Sequence, residues 1–401
     1  MNIRNSIHDL KDEITAYRRE LHQNPQTGFE EEFASGMVRD KLNEWGIHFE
    51  DEIAVTGIVA TIEGDTNTSG RAIGLRADID ALDILEEENK PHVSKIPGKM
   101  HGCGHDGHTA MLLGAAKYLS ENRNFDGTVY LIFQPAEEGQ GGAHKMIEEG
   151  LFERFPMDGV YGLHNWPKMP RGTVGVRSGP IMAGAERFDI TITGQGGHAA
   201  MPQTCIDPIV IGSQIISALQ TLVSRTRDPL DPVVISVTNF NAGTGAFNVI
   251  PDDAVLSGTM RSFKPETRDL MMRRIEEIVV DTAKLLGGSA VCEFMAGGYD
   301  PTVNTDKETE GCISVLQDLF GSDTVDTSID PSMGAEDFGA MLQQAPGCYI
   351  WMGQGEDDAA SMHNQGLHTP RYDFNDDIIP AGIEYWVRLV ESTLNLDTHA
   401  A

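Results

Sequence analysis

The run "TVYLIFQP" (128–135) is the tightest constraint on how this chain folds. It is almost wholly apolar, rich in β-branched and aromatic residues, and closed by a proline. A strand apolar on both faces has to be covered on both faces, the situation of a central strand in a parallel sheet. Strand-like segments accompany it: "TGIVATIEG" (56–64), "RAIGLRADI" (71–79) and "DGVYGLH" (158–164). Helical segments alternate with them. From His108 onward Met111, Leu112, Ala115 and Leu119 fall on one helical face, and another helix is expected at about 142–150. Alternating strands and helices predict an α/β fold, a mostly parallel sheet with helices on both faces.

After residue 185 the rhythm changes. "RFDITITG" (187–194) alternates apolar and polar residues, as a half-exposed strand does. A helix follows at about 206–226, with Ile209, Ile216, Leu219 and Val223 among its apolar positions. Then come strands "PVVISVTNF" and "AVLSGTMRSF", a helix over 265–286 and strand "SAVCEF". The order β-α-β-β-α-β is that of a ferredoxin-like sandwich. The expected organisation is a discontinuous domain of residues 1–185 and 295–401, interrupted by a second domain at 186–294.

A chain of 401 residues has room for two such domains. Its formal charge of −31, from 61 acidic and 30 basic residues, argues against nucleic acid and anionic membranes as partners. An anionic substrate would need a local cluster of Arg, Lys or metal. No run approaches the ~18 apolar residues of a membrane span. The first 25 residues are charged and lack the apolar core of a signal peptide, so a cytoplasmic location is expected. Cys103, Cys205, Cys292, Cys312 and Cys348 are odd in number and widely spaced, unlike a disulfide framework.

Metal-capable side chains concentrate in "HGCGHDGH" (101–108), "QPAEEG" (134–139), "GLHNWP" (162–167) and "LHTPRYDFND" (367–376). Glu137 and Glu138 follow at once on the buried strand, and His164 closes the next. The carboxyl ends of strands in an α/β sheet are where ligand sites are built. Adjacent carboxylates suit a division of labour in which one ligates metal and the other acts as general base. Cysteine, histidine and carboxylate together suit zinc or another divalent transition ion. The interleaved glycines of "HGCGHDGH" suggest irregular backbone rather than packed helix. A Cys-His nucleophilic dyad would also account for that stretch, but would leave Glu137, Glu138 and the remote histidines unemployed.

Further segments occur in order around these: "RADIDAL", "HGCGHDGHTAML", "IFQPAEEG", "GLHNWP", "GQGGHAAMP", "FNVIP", "GTMRSF", "MGAEDF" and "LHTPRYDFND". Together they resemble the metal-dependent aminoacylase and carboxypeptidase superfamily, in particular its hippurate hydrolase and auxin-conjugate hydrolase branch, over nearly the whole chain. The resemblance implies two divalent metal ions per subunit (Zn, Mn, Ni or Co) held by Cys103, His105, Glu138, His164 and His368. It implies Glu137 as general base and His198, in "GQGGH", as the group that stabilises the tetrahedral oxyanion. Asn248 and Arg261 are implied to hold the substrate carboxylate. The superfamily's early H-x-D ligand motif is replaced here by Asp78-Ile79-Asp80, so ligation moves to Cys103 and His105, and Asp80 becomes an orienting residue. His363 is a near decoy for His368; His101 and His108 flank the site. The inserted domain is implied to be a lid that also forms a homodimer or homotetramer. The implied reaction is hydrolysis of N-acyl amino acids to a carboxylic acid and a free amino acid by metal-activated water. A dipeptidase using the same machinery, or a catalytically silent binding protein, would be the alternatives.

Overall fold

The buried run does form a strand, Thr128–Gln134, in which only Tyr130 is partly exposed. The computed structural model describes residues 1–87, 90–295 and 297–396. The chain divides into two units: Met1–Ile181 with Val303–Asp330 and Ala340–Ala401, and Met182–Thr302 with Pro331–Gly339.

The first unit is built on eight strands. They are β1 (His48–Ile53), β2 (Gly57–Glu63), β3 (Ala72–Asp78), β4 (Thr128–Gln134), β5 (Gly159–Pro170), β6 (Val174–Gly175), β7 (Val325–Asp326) and β8 (Gly347–Gly355), in the order β1-β2-β4-β3-β5-β8-β6-β7. The central run β4-β3-β5-β8 is parallel throughout. Toward one edge β4 pairs antiparallel with β2, and β2 with β1. Strands β3 and β8 are buried along their whole length, the polar Arg76, Asp78 and Gln354 included.

Helix α1 (His105–Glu121) packs on β3 and against two further helices, Lys11–Gln23 and Ile379–Thr393. Two expectations are corrected here. The helix starts at His105, so the second half of "HGCGHDGH" is a first helical turn and not irregular loop. Nor is it amphipathic: Ala110, Met111, Leu112, Leu113, Gly114, Ala115 and Ala116 are all buried, because sheet and helices cover it on every side. Gly104 makes the abrupt start possible. It sits at φ 100°, where L residues rarely go, and a Cβ there would run into the Asn165 amide oxygen and the Tyr372 hydroxyl.

The second unit holds a four-stranded sheet in the spatial order 233–242, 253–262, 184–193, 289–294, every neighbouring pair antiparallel. With helices Pro208–Thr221 and Pro265–Leu285 this is the β-α-β-β-α-β sandwich. Phe188, Ile190 and Ile192 alternate inward and meet Ile211, Ile215, Leu219, Met271, Ile275 and Val279. The first of these helices buries Ile211, Ile215 and Leu219, whereas Ile209 is 41% exposed. Ser213, Gln214, Ser217, Gln220 and Thr221 form its exposed polar face.

Candidate metal centre

Asp78 ends β3, Gln134 ends β4, and β3 pairs with β5 only as far as Arg76 opposite Gly162. His164 therefore lies at the level where β3 stops, although β5 itself runs on to Pro170, so the expectation that His164 closes its strand is corrected. The next loop after β4 turns sharply. Ala136 takes φ 53° and Gly139 φ 89°, left-handed values between which Glu137 and Glu138 are presented. The turn is braced from behind by the buried Glu31, whose carboxylate accepts the Ala136 N–H at 2.8 Å and the Thr56 hydroxyl at 2.6 Å.

Six residues singled out in the sequence are brought together. Cys103 Sγ lies 3.3 Å from His164 Nε2. His368 Nε2 lies 3.1 Å from the Glu138 carboxylate, and His105 Nε2 lies 3.9 Å from it. Glu137 is 4.0 Å from the same imidazole nitrogen. Potential ligand atoms of Cys103, His105 and His164 form one group within 4.8 Å of one another; those of Cys103, Glu138 and His368 form a second. The two groups share the cysteine.

Hydrogen bonds set the imidazole tautomers. His105 Nδ1 donates to the Asp80 carboxylate at 3.0 Å, and His164 Nδ1 donates to the Asn165 carbonyl at 2.7 Å. In each neutral ring the lone pair is then on Nε2, the atom that faces the other ligands. Asp80 also accepts the Glu138 N–H at 2.9 Å, so one carboxylate orients two ligands. His108 is committed elsewhere, bonded to Asp78 at 2.6 Å and Asn165 at 2.7 Å. His363 donates to the Asp373 carbonyl at 3.2 Å and joins neither ligand group. His101 is buried and held neutral, its basicity pushed down to about 3 by burial.

The donor set fits divalent ions. His105 Nε2 is buried and makes no hydrogen bond, while carboxylates of Asp78, Glu138 and Glu137 stand 3.7, 3.9 and 4.0 Å away. Such spacings are too long for hydrogen bonds but are those of atoms sharing one ion at roughly 2 Å each. Electrostatics point the same way. Burial would lower His105, yet Asp78, Asp80 and Glu138 outweigh it and push its pKa up to about 10. Burial pushes the Cys103 thiol well up, and Glu138, Glu137 and Asp78 push it further. The cavity is short of positive charge, the deficit a cation fills.

Asp78 was not among the residues the sequence singled out for a role. Its i, i+2 spacing from Asp80, which puts both on one face of a strand, was the available signal. It is tied to Arg76 at 2.7 Å. The remaining expected residues belong to the second unit. His198, exposed, pairs with Val249 across a two-stranded ribbon, and its Nδ1 accepts the Ala200 N–H at 3.1 Å, which leaves Nε2 as the proton carrier. The Asn248 carbonyl accepts the Ala199 N–H at 2.9 Å. Arg261 lies on strand 253–262 and is partly buried.

Residues 74–392 match the model of peptidase family M20/M25/M40. The chain is 39% identical to the IAA-amino acid hydrolase ILR1-like 4 of Arabidopsis thaliana, over 96% of this chain and 89% of that protein. It is 38% identical to the hippurate hydrolase of Campylobacter jejuni, over 97% and 98%. The crystal structure of the Bacillus subtilis YxeP protein, described as a dinuclear metal-binding peptidase of the M20 family, superposes with a TM-score of 0.81 at 34% identity, over 96% of this chain and 99% of that one. With most of its length matched by the family model and by relatives of this similarity, the chain belongs to peptidase family M20/M25/M40.

Proposed function

We propose that this protein is a metal-dependent amidohydrolase that cleaves N-acyl amino acids to a carboxylic acid and a free amino acid. The observation that carries this is that Cys103, His105, Glu138, His164 and His368 form two ligand groups sharing Cys103, with the unpartnered His105 Nε2 in one and Glu137 4.0 Å from that nitrogen. Those five residues would hold two divalent ions, Cys103 belonging to both ligand groups. When bound, the ions supply Lewis acidity and lower the pKa of the attacking water.

Glu137 takes the proton of that water and delivers it to the leaving amine. Asp80 holds His105 and the Glu138 backbone in register. His198 donates from Nε2 to the oxyanion, and Asn248 and Arg261 hold the substrate's free carboxylate, Arg261 through its planar fork. Cysteine and histidine ligands suit zinc, and manganese, nickel or cobalt suit the same set. The chain works in the cytoplasm, as a homodimer or homotetramer through its second unit. No helix among the described residues is long and apolar enough to cross a membrane.

The test is release of free amino acid from a panel of N-acyl amino acids with each of these metals, before and after chelation. Chelator-sensitive release supports the reading. No release with any metal overturns it, and faster cleavage of free dipeptides would identify a dipeptidase.

A further inference from the structure

A second pocket opens at the opposite end of the first unit's sheet, by the amino ends of β3, β5 and β8. It has a volume of about 510 Å³ and is lined by residues that include Arg71, Ile73, Asp158, Tyr161, Lys307, Glu308 and Leu389. Its size lies within the range of small-molecule sites. The metal-capable residues lie at the carboxyl ends of the same strands, so the two are separate.

The floor is apolar, with Ile73, Tyr161 and Leu389 all buried. Tyr161 is only 4% exposed. Its hydroxyl makes no hydrogen bond to another described residue and is not among the solvent-excluded polar atoms, so it is open to the pocket. Four charged side chains surround it, and none is in an ion pair among the described residues. Arg71 Nη1 donates to the Thr393 carbonyl at 2.6 Å, leaving the rest of its fork free. Asp158 spends one oxygen on the Ala72 N–H at 2.9 Å, and Glu308 spends one on the Thr305 hydroxyl. Each carboxylate keeps its other oxygen.

In a chain with 30 cationic and 61 anionic side chains, two unpaired cations beside one pocket are conspicuous. The lining is nonetheless balanced, two charges of each sign. A balanced lining matches a ligand that carries both charges better than a simple anion. We propose that this pocket binds a free α-amino acid as its zwitterion. Arg71 and Lys307 take the carboxylate, Glu308 and Asp158 the ammonium, the Tyr161 hydroxyl bonds the carboxylate, and an apolar side chain rests on Ile73 and Leu389. A free amino acid is also a product of the reaction proposed above, but binding here does not depend on that reading.

The experiment is calorimetric titration of the metal-loaded enzyme with L-leucine, N-acetyl-L-leucine and inorganic phosphate, on wild type, Lys307→Ala and Tyr161→Phe. Tyr161→Phe keeps the ring and removes only the hydroxyl. L-leucine is expected to bind wild type at least tenfold more tightly than either variant, with metal content and hydrolysis in the absence of leucine unchanged. Equal L-leucine affinity in wild type and both variants overturns the proposal. A loss shared equally by phosphate and N-acetyl-L-leucine also overturns it, in favour of a general anion site. Because binding is read without turnover, failure here is distinguishable from failure of the amidohydrolase reading.

Discussion

The Arg18 guanidinium lies 2.9 Å from the Asp106 carboxylate, and neither side chain has any exposure. Arg18 also reaches Asp373 at 2.8 Å and stacks over Phe374. One arginine thus ties the first turn of α1, where His105 sits, to the segment that follows His368. His22 joins them, bonded to Asp106 at 2.7 Å and to Glu86 at 2.9 Å.

Removing that arginine takes a fully buried cation from two buried carboxylates, leaving Asp106 with His22 and Asp373 with Lys90 and His92. Arg18→Met is expected to destabilise the fold by about 3–5 kcal/mol. Denaturant unfolding measures this; a loss below 1 kcal/mol would show that the network relaxes at little cost.

Acid should act through Glu86. Burial would raise its carboxyl, but the hydrogen bond and charge of His22 and those of Lys90 hold it down to about 2. Its folded pKa is therefore below the unfolded value of 4.5. The associated stability is present above pH 4.5 and is lost as pH falls from there toward 2. Urea midpoints of wild type should fall across that window, and Glu86→Gln should flatten the fall.

Glu137→Gln is expected to keep bound metal and to lose turnover by about 10²–10⁴-fold, the range for a general base. Elemental analysis alongside steady-state kinetics decides it. Near-normal kcat would remove Glu137 from the role.

The two neighbouring histidines separate cleanly. His368→Ala should lose metal, because its imidazole lies 3.1 Å from Glu138. His363→Ala should retain it, since its ring is bonded to the Asp373 carbonyl instead. Metal content of the two purified variants is the readout.

Metal loading should release protons. Without an ion His105 is held protonated to about pH 10 and the Cys103 thiol is pushed well up, yet both bind metal deprotonated. Adding zinc to chelator-treated protein in weak buffer should acidify the solution by on the order of two protons per subunit. Affinity should fall as pH is lowered.

The sequence made the strand–helix rhythm legible because the strands of the parallel core are mostly apolar and buried along most of their length. Glu137, Glu138 and Cys103 stood out because such residues are rare beside buried strands. Asp106 and Arg18 did not. An arginine in the segment "AYRRELHQ" reads as a solvated charge, and only tertiary packing shows that one of the pair is buried and the other is 48% exposed at its side chain. Glu31 was invisible for the same reason. Its partner Ala136 lies 105 residues away, and nothing local announces a left-handed alanine.

The position of β8 has a consequence for synthesis. This strand is the neighbour of β5 inside the sheet, yet 176 residues of chain separate Pro170 from Gly347. A ribosome therefore delivers all of β1 to β6 with a sticky, unpaired β5 edge that has to wait while the whole second unit is made. Premature termination before residue 347 leaves that edge open and His368 unmade, so such a truncated product is both aggregation-prone and unable to complete its ligand set. The order of emergence makes metal retention a report on whether the chain was finished.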